Sequence, residues 1–442
     1  MMSVLKKGHC LFYNLFCKKG GGIILENFAN IIGYENEKKQ LMQICDVIKN
    51  FERYAKLGVK KIRGLLLHGP MGVGKTLMAT SLMQAIGHQS YIVRKDKIKE
   101  EFITYIEDIF ETAKENTPSI ILFDDMDKFF SEDNQRRNPE ELIMIQSYMD
   151  QFKDKDIFII ATANVLRDIP TTLLRAGRFE KIIKINRPNR KDAIQLIENY
   201  IQNKPIAKDI TPQWIGNIMD GSSCAELEGI LNEAGIYAVF HHEDQISRDS
   251  FLKAFLMKKF NVKINDFNWE SYLHKQKVAY HEAGHIAIAY IFNPKNIVFV
   301  SIFPNQNETR GITKILEDED YNFSYQKMYE DALYTLAGKA AVEMKFNEID
   351  VGATSDLEQT SFLTQRFIKN YVVHGFDYLE SEYIDSRENV DKIVKEANKM
   401  IGEMYDEVKS ILFQHWDKVE KVANELLKRN ILVYDDIVSL LQ

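Results

Sequence analysis

Short, continuously apolar runs alternate with longer segments of helical periodicity through the first part of the chain. The clearest runs, residues 64–68, 119–123 and 157–161, are bounded by charged or turn residues. Strands buried on both faces of a parallel sheet have this character, and helices between them are typical of α/β proteins. The pattern therefore predicts an α/β domain over residues 24–188, a parallel sheet flanked by helices. Three glycines at positions 20–22 precede it and indicate a flexible joint after an N-terminal tail, residues 1–23.

The hydrophobic pattern changes after residue 188, where the strand-like runs give way to amphipathic helical spacing. We interpret residues 189–257 as a small helical lid, with a capping box formed by Ser223 and Glu226. A polar stretch, residues 258–270, is expected to link the lid to a mainly helical domain over residues 271–442. That domain ends in a strongly periodic segment, residues 390–427, whose apolar face predicts helix packing rather than chemistry.

Length and charge narrow the classes of protein that fit this pattern. A chain of 442 residues is expected to form two or three domains. A hydrophobic content of 45% and a charged content of 27% are those of a soluble globular protein. The net charge of −7 argues against a general nucleic-acid binder, so we expect no nucleic-acid partner.

The cysteine pattern and the hydropathy indicate the cellular compartment and the extent of membrane association. The cysteines form no C-x-x-C pair, which disfavours a disulfide framework or a cysteine zinc site and favours the reducing cytoplasm; they are Cys10, Cys17, Cys45 and Cys224. No stretch approaches the roughly 20 apolar residues that span a bilayer. The short apolar run 10–17 lies between lysine pairs and is either an interfacial anchor or a docked tail. We therefore expect a soluble protein with peripheral membrane contact at most.

A glycine-rich loop directly follows the first predicted strand and matches G-x-x-x-x-G-K-[ST]. Backbone N–H groups of such a loop cradle phosphates, the lysine reaches the terminal phosphates, and the hydroxyl of the last residue ligates Mg²⁺. The sequence therefore predicts ATP and Mg²⁺ as cofactors. The candidate nucleotide ligands are Gly69, Pro70, Met71, Gly72, Val73, Gly74, Lys75, Thr76 and Leu77.

Polar residues at the ends of the next two predicted strands complete a candidate ATPase site. Asp124 is placed to hold Mg²⁺ and Asp125 to orient the attacking water, while Asn164 is expected to contact that water or the γ-phosphate. Arg175 and Arg178 are three residues apart and, taken alone, are equally consistent with a solvated surface. Together with the phosphate loop, they indicate arginine fingers that stabilise charge in the transition state.

A second motif, H-E-x-x-H, lies in the predicted helix 278–292. His281 and His285 are one turn apart on one helix face and therefore can bind the same Zn²⁺. Glu282 then lies beside the open coordination position, where it can activate a zinc-bound water. A hydrolytic zinc site needs a third protein ligand, and the neighbouring sequence offers no obvious candidate.

These motifs together resemble the FtsH-type AAA+ zinc metalloproteases. The phosphate loop and the arginine pair resemble an AAA+ ATPase module, and residues 280–285, 336–343 and 352–359 are similar to successive peptidase signatures of that family. The resemblance runs from about residue 28 to the C-terminus. It implies a ring, usually a homo-hexamer, in which the arginine fingers act on the neighbouring subunit's nucleotide.

The resemblance also assigns roles that the residues alone leave open. It implies that Asp356 is the third zinc ligand and that the backbone at Ile32 and Gly33 meets the adenine. It places Glu343 near the metal, hydrogen-bonded to a ligand, although a solvated helix residue is the alternative there. Residues 311–315 fall where the family has a strand edge that pairs with extended polypeptide substrates.

Three departures from the family limit what the resemblance implies. The N-terminal transmembrane helices of the family are not found in this sequence. Asp125 stands where the family has glutamate, and because the shorter side chain misplaces the carboxylate, we expect slow ATP turnover. The aromatic pore loop of the family falls on residues 98–100, which contain no aromatic residue, and Phe102 is left open as an alternative gripping side chain. Weak translocation is expected to favour unfolded or loosely folded substrates.

The sequence thus predicts an ATP-dependent zinc endopeptidase acting on polypeptides. Two alternatives stay open, and both retain nucleotide binding and ring assembly. One is a regulatory or adaptor protein that modulates another protease. The other is a remodelling ring component with weak or no peptidase activity of its own.

Overall fold

A computed structural model of the chain describes residues 28–95, 99–129, 140–262, 264, 271–303, 311–316, 324–350, 352–371, 373 and 387–442. The glycines at 20–22, the apolar run 10–17 and most of the polar stretch 258–270 lie outside these residues. Within them, no helix combines the length and the apolar character that crossing a bilayer requires. The chain divides into two units, residues 1–232 and 233–442.

The first unit contains a five-stranded sheet in which every observed strand pair is parallel, with strand order β2-β3-β4-β1-β5. The strands are β1 (Gly64–His68), β2 (Gln89–Val93), β3 (Ser119–Phe123), β4 (Ile157–Ala163) and β5 (Lys181–Lys184). The accompanying helices are α1 (Glu35–Lys49), α2 (Phe51–Ala55), α3 (Lys75–Ile86), α4 (Lys99–Glu115) and α5 (Glu140–Gln151), with short 3₁₀ turns at Met126–Phe129 and Leu166–Asp168. Buried side chains on both faces of the sheet form two hydrophobic clusters. The predicted α/β fold is confirmed.

The sequence found the three central strands and missed the two edge strands. In β3 and β4 every residue is buried, which produces the continuous apolar run that the pattern requires. In β2 only Val93 is buried, and in β5 only Ile183. An edge strand is covered on fewer sides, so its sequence carries a weaker signal.

Parallel pairing brings the polar ends of the central strands together. His68 at the end of β1 pairs with Ala163 of β4, and Phe123 at the end of β3 pairs with Ala161. The phosphate loop follows β1, the two aspartates follow β3, and Asn164 follows β4. All of these groups consequently meet at one edge of the sheet, as in other open α/β sheets.

Four helices follow the sheet: α6 (Arg190–Ile201), α7 (Pro212–Ile218), α8 (Cys224–Phe240) and α9 (Arg248–Phe260). The predicted capping box is present, because Ser223 Oγ accepts from the backbone N–H of Glu226 at 3.3 Å and the Glu226 carboxylate accepts from the N–H of Ser223 at 2.7 Å. The boundary between the two units lies inside α8. A separate lid over residues 189–257 therefore stays a prediction.

The second unit is mainly helical. It contains α10 (Tyr272–Phe292), α11 (Tyr325–Phe346), α12 (Thr354–Tyr371), α13 (Arg387–Gln414), α14 (Trp416–Arg429) and α15 (Tyr434–Leu441). A small antiparallel sheet with strand order β7-β6-β8 accompanies the helices; its strands are β6 (Ile297–Ser301), β7 (Ile312–Ile315) and β8 (Ile431–Val433). The mainly helical character predicted for this part of the chain is confirmed for the described residues.

Helices α10 and α11 pack unusually closely because small residues line their contact. A Cβ atom added to Gly284 would lie 2.4 Å from the carbonyl oxygen of Ala337. Ala283, Ala337 and Ala341 are fully buried at the same contact. This packing holds the H-E-x-x-H segment of α10 rigidly against α11, which is what a metal site requires.

The periodic C-terminal segment differs from its prediction in two respects. It forms two helices, α13 and α14, with His415 between them. Met404, Val408 and Leu412 are fully buried as the stripe predicts, but Val390 and Val394 are 41% and 40% exposed. In the same turns Ile393 is 3% exposed and packs with Ala397 and Ile368 in a small separate cluster. The first turns of the stripe are therefore only partly buried, because periodicity alone does not show how far a partner surface extends.

Candidate metal centre and nucleotide site

Three side chains predicted as zinc ligands converge in the second unit. His281 and His285 extend from one face of α10, and Asp356 extends from the first turn of α12. The two Nε2 atoms are 3.2 Å apart, and Asp356 Oδ2 lies 3.1 Å from that of His281 and 3.6 Å from that of His285. Each residue thus offers one ligand atom to a common point.

The spacing of these atoms fits a tetrahedral zinc ion. Zn–N and Zn–O bonds of about 2.0–2.2 Å in a tetrahedral site place neighbouring ligand atoms roughly 3.3–3.6 Å apart. The observed separations of 3.1, 3.2 and 3.6 Å are close to that range. Two imidazoles and one carboxylate leave the fourth position for water or substrate, which is typical of catalytic rather than structural zinc sites.

The second ring nitrogen of each histidine is also engaged. His285 Nδ1 donates to the carbonyl oxygen of Tyr334 at 2.8 Å, which leaves Nε2 to face the metal position. His281 Nδ1 lies 3.0 Å from Asp350 Oδ2, and Asp350 Oδ1 accepts from the backbone N–H of Gly352 at 2.9 Å. Asp350 was not identified from the sequence. The only signal in the sequence was a carboxylate six residues before Asp356.

The resemblance placed Glu343 near the metal, but its carboxylate is engaged elsewhere. It accepts from Lys339 and from the hydroxyl of Tyr405, and Lys409 lies 3.6 Å away. These contacts join α11 to α13 and lower the pKa of Glu343 against the opposing effect of burial. Asp350, rather than Glu343, is the acidic residue that the structure places against the outer nitrogen of a predicted zinc ligand, His281.

His281 and its neighbours Asp350 and Asp356 shift one another's pKa values. Burial disfavours the charged imidazole of His281, but hydrogen bonds to Asp350 and Asp356 outweigh it and raise the pKa of His281 to about 10. Burial would raise the pKa of Asp356, but the two imidazoles hold it well below its usual range. Since an imidazole binds a metal only in its neutral form, metal binding here competes with protonation of His281.

Glu282 lies next to the three ligands and faces the same cleft, whose volume is about 420 Å³. Its side chain is only 5% exposed. Thr313 Oγ1 donates to Oε2 of Glu282 at 2.6 Å, and a Cβ atom added to Gly311 would lie 2.2 Å from Oε1. Among the described strands, β7 pairs with β6 alone, so the edge predicted to receive extended substrate borders this cleft.

Gly338 on α11 lies directly beneath the metal position, and a side chain there is expected to weaken zinc binding. A Cβ atom at Gly338 would lie 2.6 Å from Nε2 of both His281 and His285. Gly338→Ala must therefore displace the imidazoles, and we expect zinc affinity to fall by at least about tenfold, as disturbance of ligand orientation does elsewhere. Zinc content after dialysis against a weak chelator measures this loss.

Gly402→Ala in α13 is the matched control, because nothing lies within 4 Å of a Cβ atom there. This variant is expected to retain zinc and to gain up to about 1 kcal/mol of stability from the better helix former. Wild-type zinc affinity in Gly338→Ala would contradict the geometry.

The nucleotide site lies at the carboxyl edge of the sheet in the first unit. Lys75 is 6% exposed, and its ammonium donates to the carbonyl oxygens of Gly69 and Pro70 at 2.8 Å and to Asn164 Oδ1 at 2.9 Å. Burial lowers the pKa of Lys75, against the opposing effect of the nearby aspartates. Thr76 Oγ1 donates to Asp124 Oδ1 at 2.7 Å. Six predicted site residues are thus brought together: Gly69, Pro70, Lys75, Thr76, Asp124 and Asn164.

The two aspartates after β3 are held by positive side chains. Asp124 Oδ2 lies 3.1 Å from Nε of Arg94, and its Oδ1 also accepts from Thr162. Asp125 has a left-handed backbone, with φ of 55°, and its carboxylate is paired with Lys128 at 2.7 Å. Asp124 is therefore hydrogen-bonded to Thr76, the other predicted Mg²⁺ ligand, whereas the Asp125 carboxylate is paired with Lys128 of the following turn.

The two predicted arginine fingers differ in their surroundings. Arg178 makes a two-pronged ion pair with Asp150, at 3.2 and 2.8 Å, and donates to the carbonyl oxygen of Thr172 at 2.6 Å. Its guanidinium is thus used within its own unit. Arg175 is exposed and has no ion-pair partner among the described residues. Of the pair, Arg175 is the one available to a neighbouring molecule.

The remaining predicted nucleotide contacts vary in exposure. Val73 is 1% exposed, whereas Met71 and Leu77 are 75% and 46% exposed beside the phosphate loop. Gly33 has φ of +69°, and a Cβ atom there would lie 2.7 Å from the side chain of Asp192, so this position favours glycine. Adenine contact at Ile32 and Gly33 stays a prediction.

Phe102 cannot serve as the substitute pore aromatic. Its side chain is fully buried and packs edge-on against Phe129, with ring centroids 5.0 Å apart. The prediction was wrong because the helical pattern of α4 uses Phe102 as a core position. Ile98, at the start of the predicted pore loop, lies outside the described residues.

Comparison with known proteins agrees with this arrangement. The ATPase family associated with various cellular activities (AAA) matches residues 65–187, and peptidase family M41 matches residues 270–440. The fold and the site thus define an AAA ATPase joined to an M41 metallopeptidase domain. The chain belongs to the FtsH-type family of ATP-dependent zinc metalloproteases.

Individual relatives are similar along most of their length. An "ATP-dependent zinc metalloprotease FtsH 2" from Thermoanaerobacter sp. (strain X514) is 28% identical over 425 residues, covering 93% of this chain and 82% of the relative. An "ATP-dependent zinc metalloprotease FtsH 1" from Thermomicrobium roseum is 26% identical over 443 residues, covering 93% and 68%. An "ATP-dependent zinc metalloprotease FtsH" from Karelsulcia muelleri is 27% identical over 444 residues, covering 94% and 70%.

Proposed function

We propose that the chain is an ATP-dependent zinc endopeptidase that degrades unfolded or loosely folded polypeptides. The observation that carries this proposal is the convergence of His281, His285 and Asp356 on one point beside the buried carboxylate of Glu282. Three ligands with one open position, next to a carboxylate that can accept a proton, are the parts that zinc-dependent hydrolysis of an amide requires.

The predicted zinc ligands, Glu282, Thr313 and the edge of β7 have distinct roles in this proposal. The two histidines and Asp356 hold zinc, which when bound supplies a Lewis acid and lowers the pKa of coordinated water. Thr313 fixes Oε2 of Glu282 by its hydrogen bond, which leaves Oε1 to accept a proton from water and return it to the leaving amine. The side of β7 turned away from β6 pairs with the extended substrate through backbone hydrogen bonds, so cleavage tolerates many sequences.

ATP and Mg²⁺ drive the first unit in this proposal. Lys75 binds the terminal phosphates, and Thr76 and Asp124 hold Mg²⁺ between them. Arg175 acts on the nucleotide of the adjacent subunit in a ring, for which a hexamer is the expected size. Turnover is slow because Asp125 is short and is paired with Lys128.

The second candidate function is a ring component that binds ATP and remodels or regulates, with weak or no peptidase activity. The ion pairs of Asp124 with Arg94 and of Asp125 with Lys128 favour its regulatory form, since both carboxylates of the ATPase site are engaged by positive side chains and remodelling would itself need ATP turnover. The complete set of zinc ligands favours the endopeptidase.

Casein cleavage by the full chain tests the proposal. We expect cleavage that requires zinc and is stimulated by ATP, that is lost in a strong chelator, and that returns when zinc is restored. A stably folded reporter is expected to survive, because the buried Phe102 leaves no substitute for the missing pore aromatic. Cleavage that persists in the chelator would contradict the zinc mechanism, whereas ATP binding and assembly without any cleavage would favour the second candidate.

A further inference from the structure

The imidazole of His281 is held between two carboxylates. On one side Asp356 Oδ2 lies 3.1 Å from Nε2, and on the other Asp350 Oδ2 lies 3.0 Å from Nδ1. Both acids come from the connection between α11 and the first turn of α12. One short segment thus determines which way both nitrogens of the ring point.

We propose that Asp350 is a positioning residue for zinc binding. Its carboxylate accepts from Nδ1–H of His281 and holds the ring so that Nε2 is presented to the metal. The inference rests on the proposed function, because it concerns zinc held by His281, His285 and Asp356. Carboxylates that accept the outer N–H of a metal-bound histidine fix the ring, make the ligand nitrogen more basic, and typically raise metal affinity by 10–100-fold.

The side chain of Asp350 is itself held in place. Its Oδ1 accepts from the backbone N–H of Gly352 at 2.9 Å, which orients Oδ2 towards His281. The side chain is 12% exposed, so little water competes for the contact. A carboxylate fixed by a backbone donor and shielded from solvent is well suited to fix a second group in turn.

The two histidines are positioned by different kinds of acceptor. His285 donates to the neutral carbonyl of Tyr334, whereas His281 faces a charged carboxylate. The charged acceptor forms the stronger hydrogen bond. His281 is therefore expected to be the more firmly oriented ring, and loss of Asp350 is expected to weaken zinc binding more than the loss of a surface ion pair.

Zinc affinity measured on the full chain at one fixed neutral pH, by competition with a chromophoric chelator, tests the inference. Asp350→Ala is expected to raise the zinc dissociation constant by about 10–100-fold. Asp350→Asn is expected to fall between that variant and the wild type, since its amide oxygen still accepts from Nδ1–H but carries no charge. Glu348→Gln is the control, because Glu348 pairs with Lys277 and its side chain is 59% exposed.

Thermal unfolding with and without zinc distinguishes positioning from a general structural role. Loss of positioning narrows the gap in Tm between the zinc-loaded and the metal-free protein, whereas a structural defect lowers both values equally. Asp350 variants that bind zinc like the wild type, or that lower both Tm values equally, would overturn the inference. If the wild-type chain itself binds no zinc, the proposed function fails as well. If the wild type binds zinc and cleaves casein, and the Asp350 variants bind zinc equally well, this inference alone fails.

Discussion

Glu282→Gln is expected to lower the rate of casein cleavage by about 10²–10⁴-fold, the range that removal of a general base produces. The amide has nearly the shape of the carboxylate and its oxygen can still accept from Thr313, so the cleft is retained. It cannot accept the proton of the attacking water, however. Initial rates of casein cleavage at saturating zinc and ATP measure the loss, and the zinc content of the variant is expected to equal that of the wild type.

The matched control is Glu420→Gln on α14. Its carboxylate pairs with Lys345 at 2.9 Å, and its side chain is 43% exposed, away from the cleft residues. Surface pairs of this kind contribute about 0–1 kcal/mol, so activity and stability should change little. Full cleavage by Glu282→Gln with zinc bound would show that another group activates the water.

The candidate metal centre shows which site residues could be predicted from the sequence and which could not. Helical periodicity and the H-E-x-x-H spacing predicted His281, Glu282 and His285 correctly as neighbours on α10, because helix geometry relates residues four apart. Asp356 follows 71 residues after His285, and no spacing rule relates them; the resemblance supplied it. Asp350 belongs to no motif, and its contact with His281 joins residues 69 positions apart in the chain.

Burial was the other quantity that the sequence left undetermined. Phe102 satisfied the requirement for an aromatic near the expected pore loop, but packing against Phe129 places it in the core. Arg178 matched an arginine finger, yet Asp150 and the Thr172 carbonyl hold it within its own unit. A motif specifies residue types at a spacing, whereas the groups that a side chain contacts are decided by elements distant in the chain.

The ATPase site leads to the second large prediction, that Asp125→Glu raises the rate of ATP hydrolysis by up to about 10²-fold. The backbone N–H of Asp125 donates to Thr162 Oγ1 at 2.8 Å, so the residue is anchored at the end of β3. From that anchor, the extra methylene of glutamate extends the carboxylate by roughly 1 Å, a displacement that can change rates by about 10²-fold. Steady-state phosphate release at saturating ATP and Mg²⁺ measures the gain.

One further variant distinguishes the effect of side-chain length at position 125 from that of the ion pair, and another is a control. Lys128→Ala removes the partner of Asp125, which lies 2.7 Å away, without lengthening its side chain. If the ion pair rather than the short side chain limits turnover, Lys128→Ala should raise the rate as much as Asp125→Glu does. Asp154→Glu, at an exposed turn, controls for the substitution itself and should leave the rate unchanged.

Nucleotide affinity decides how a gain in rate is interpreted. Lys75 and Thr76 make the phosphate and Mg²⁺ contacts in the proposed function, and neither is altered in Asp125→Glu, so ATP should bind equally well to the wild type and the variant. A higher rate at unchanged affinity then places the whole effect on the orientation of water in the transition state. If neither Asp125→Glu nor Lys128→Ala turns over ATP faster, the aspartate is not what limits this ATPase, and the slow turnover expected from its shorter side chain loses its physical basis.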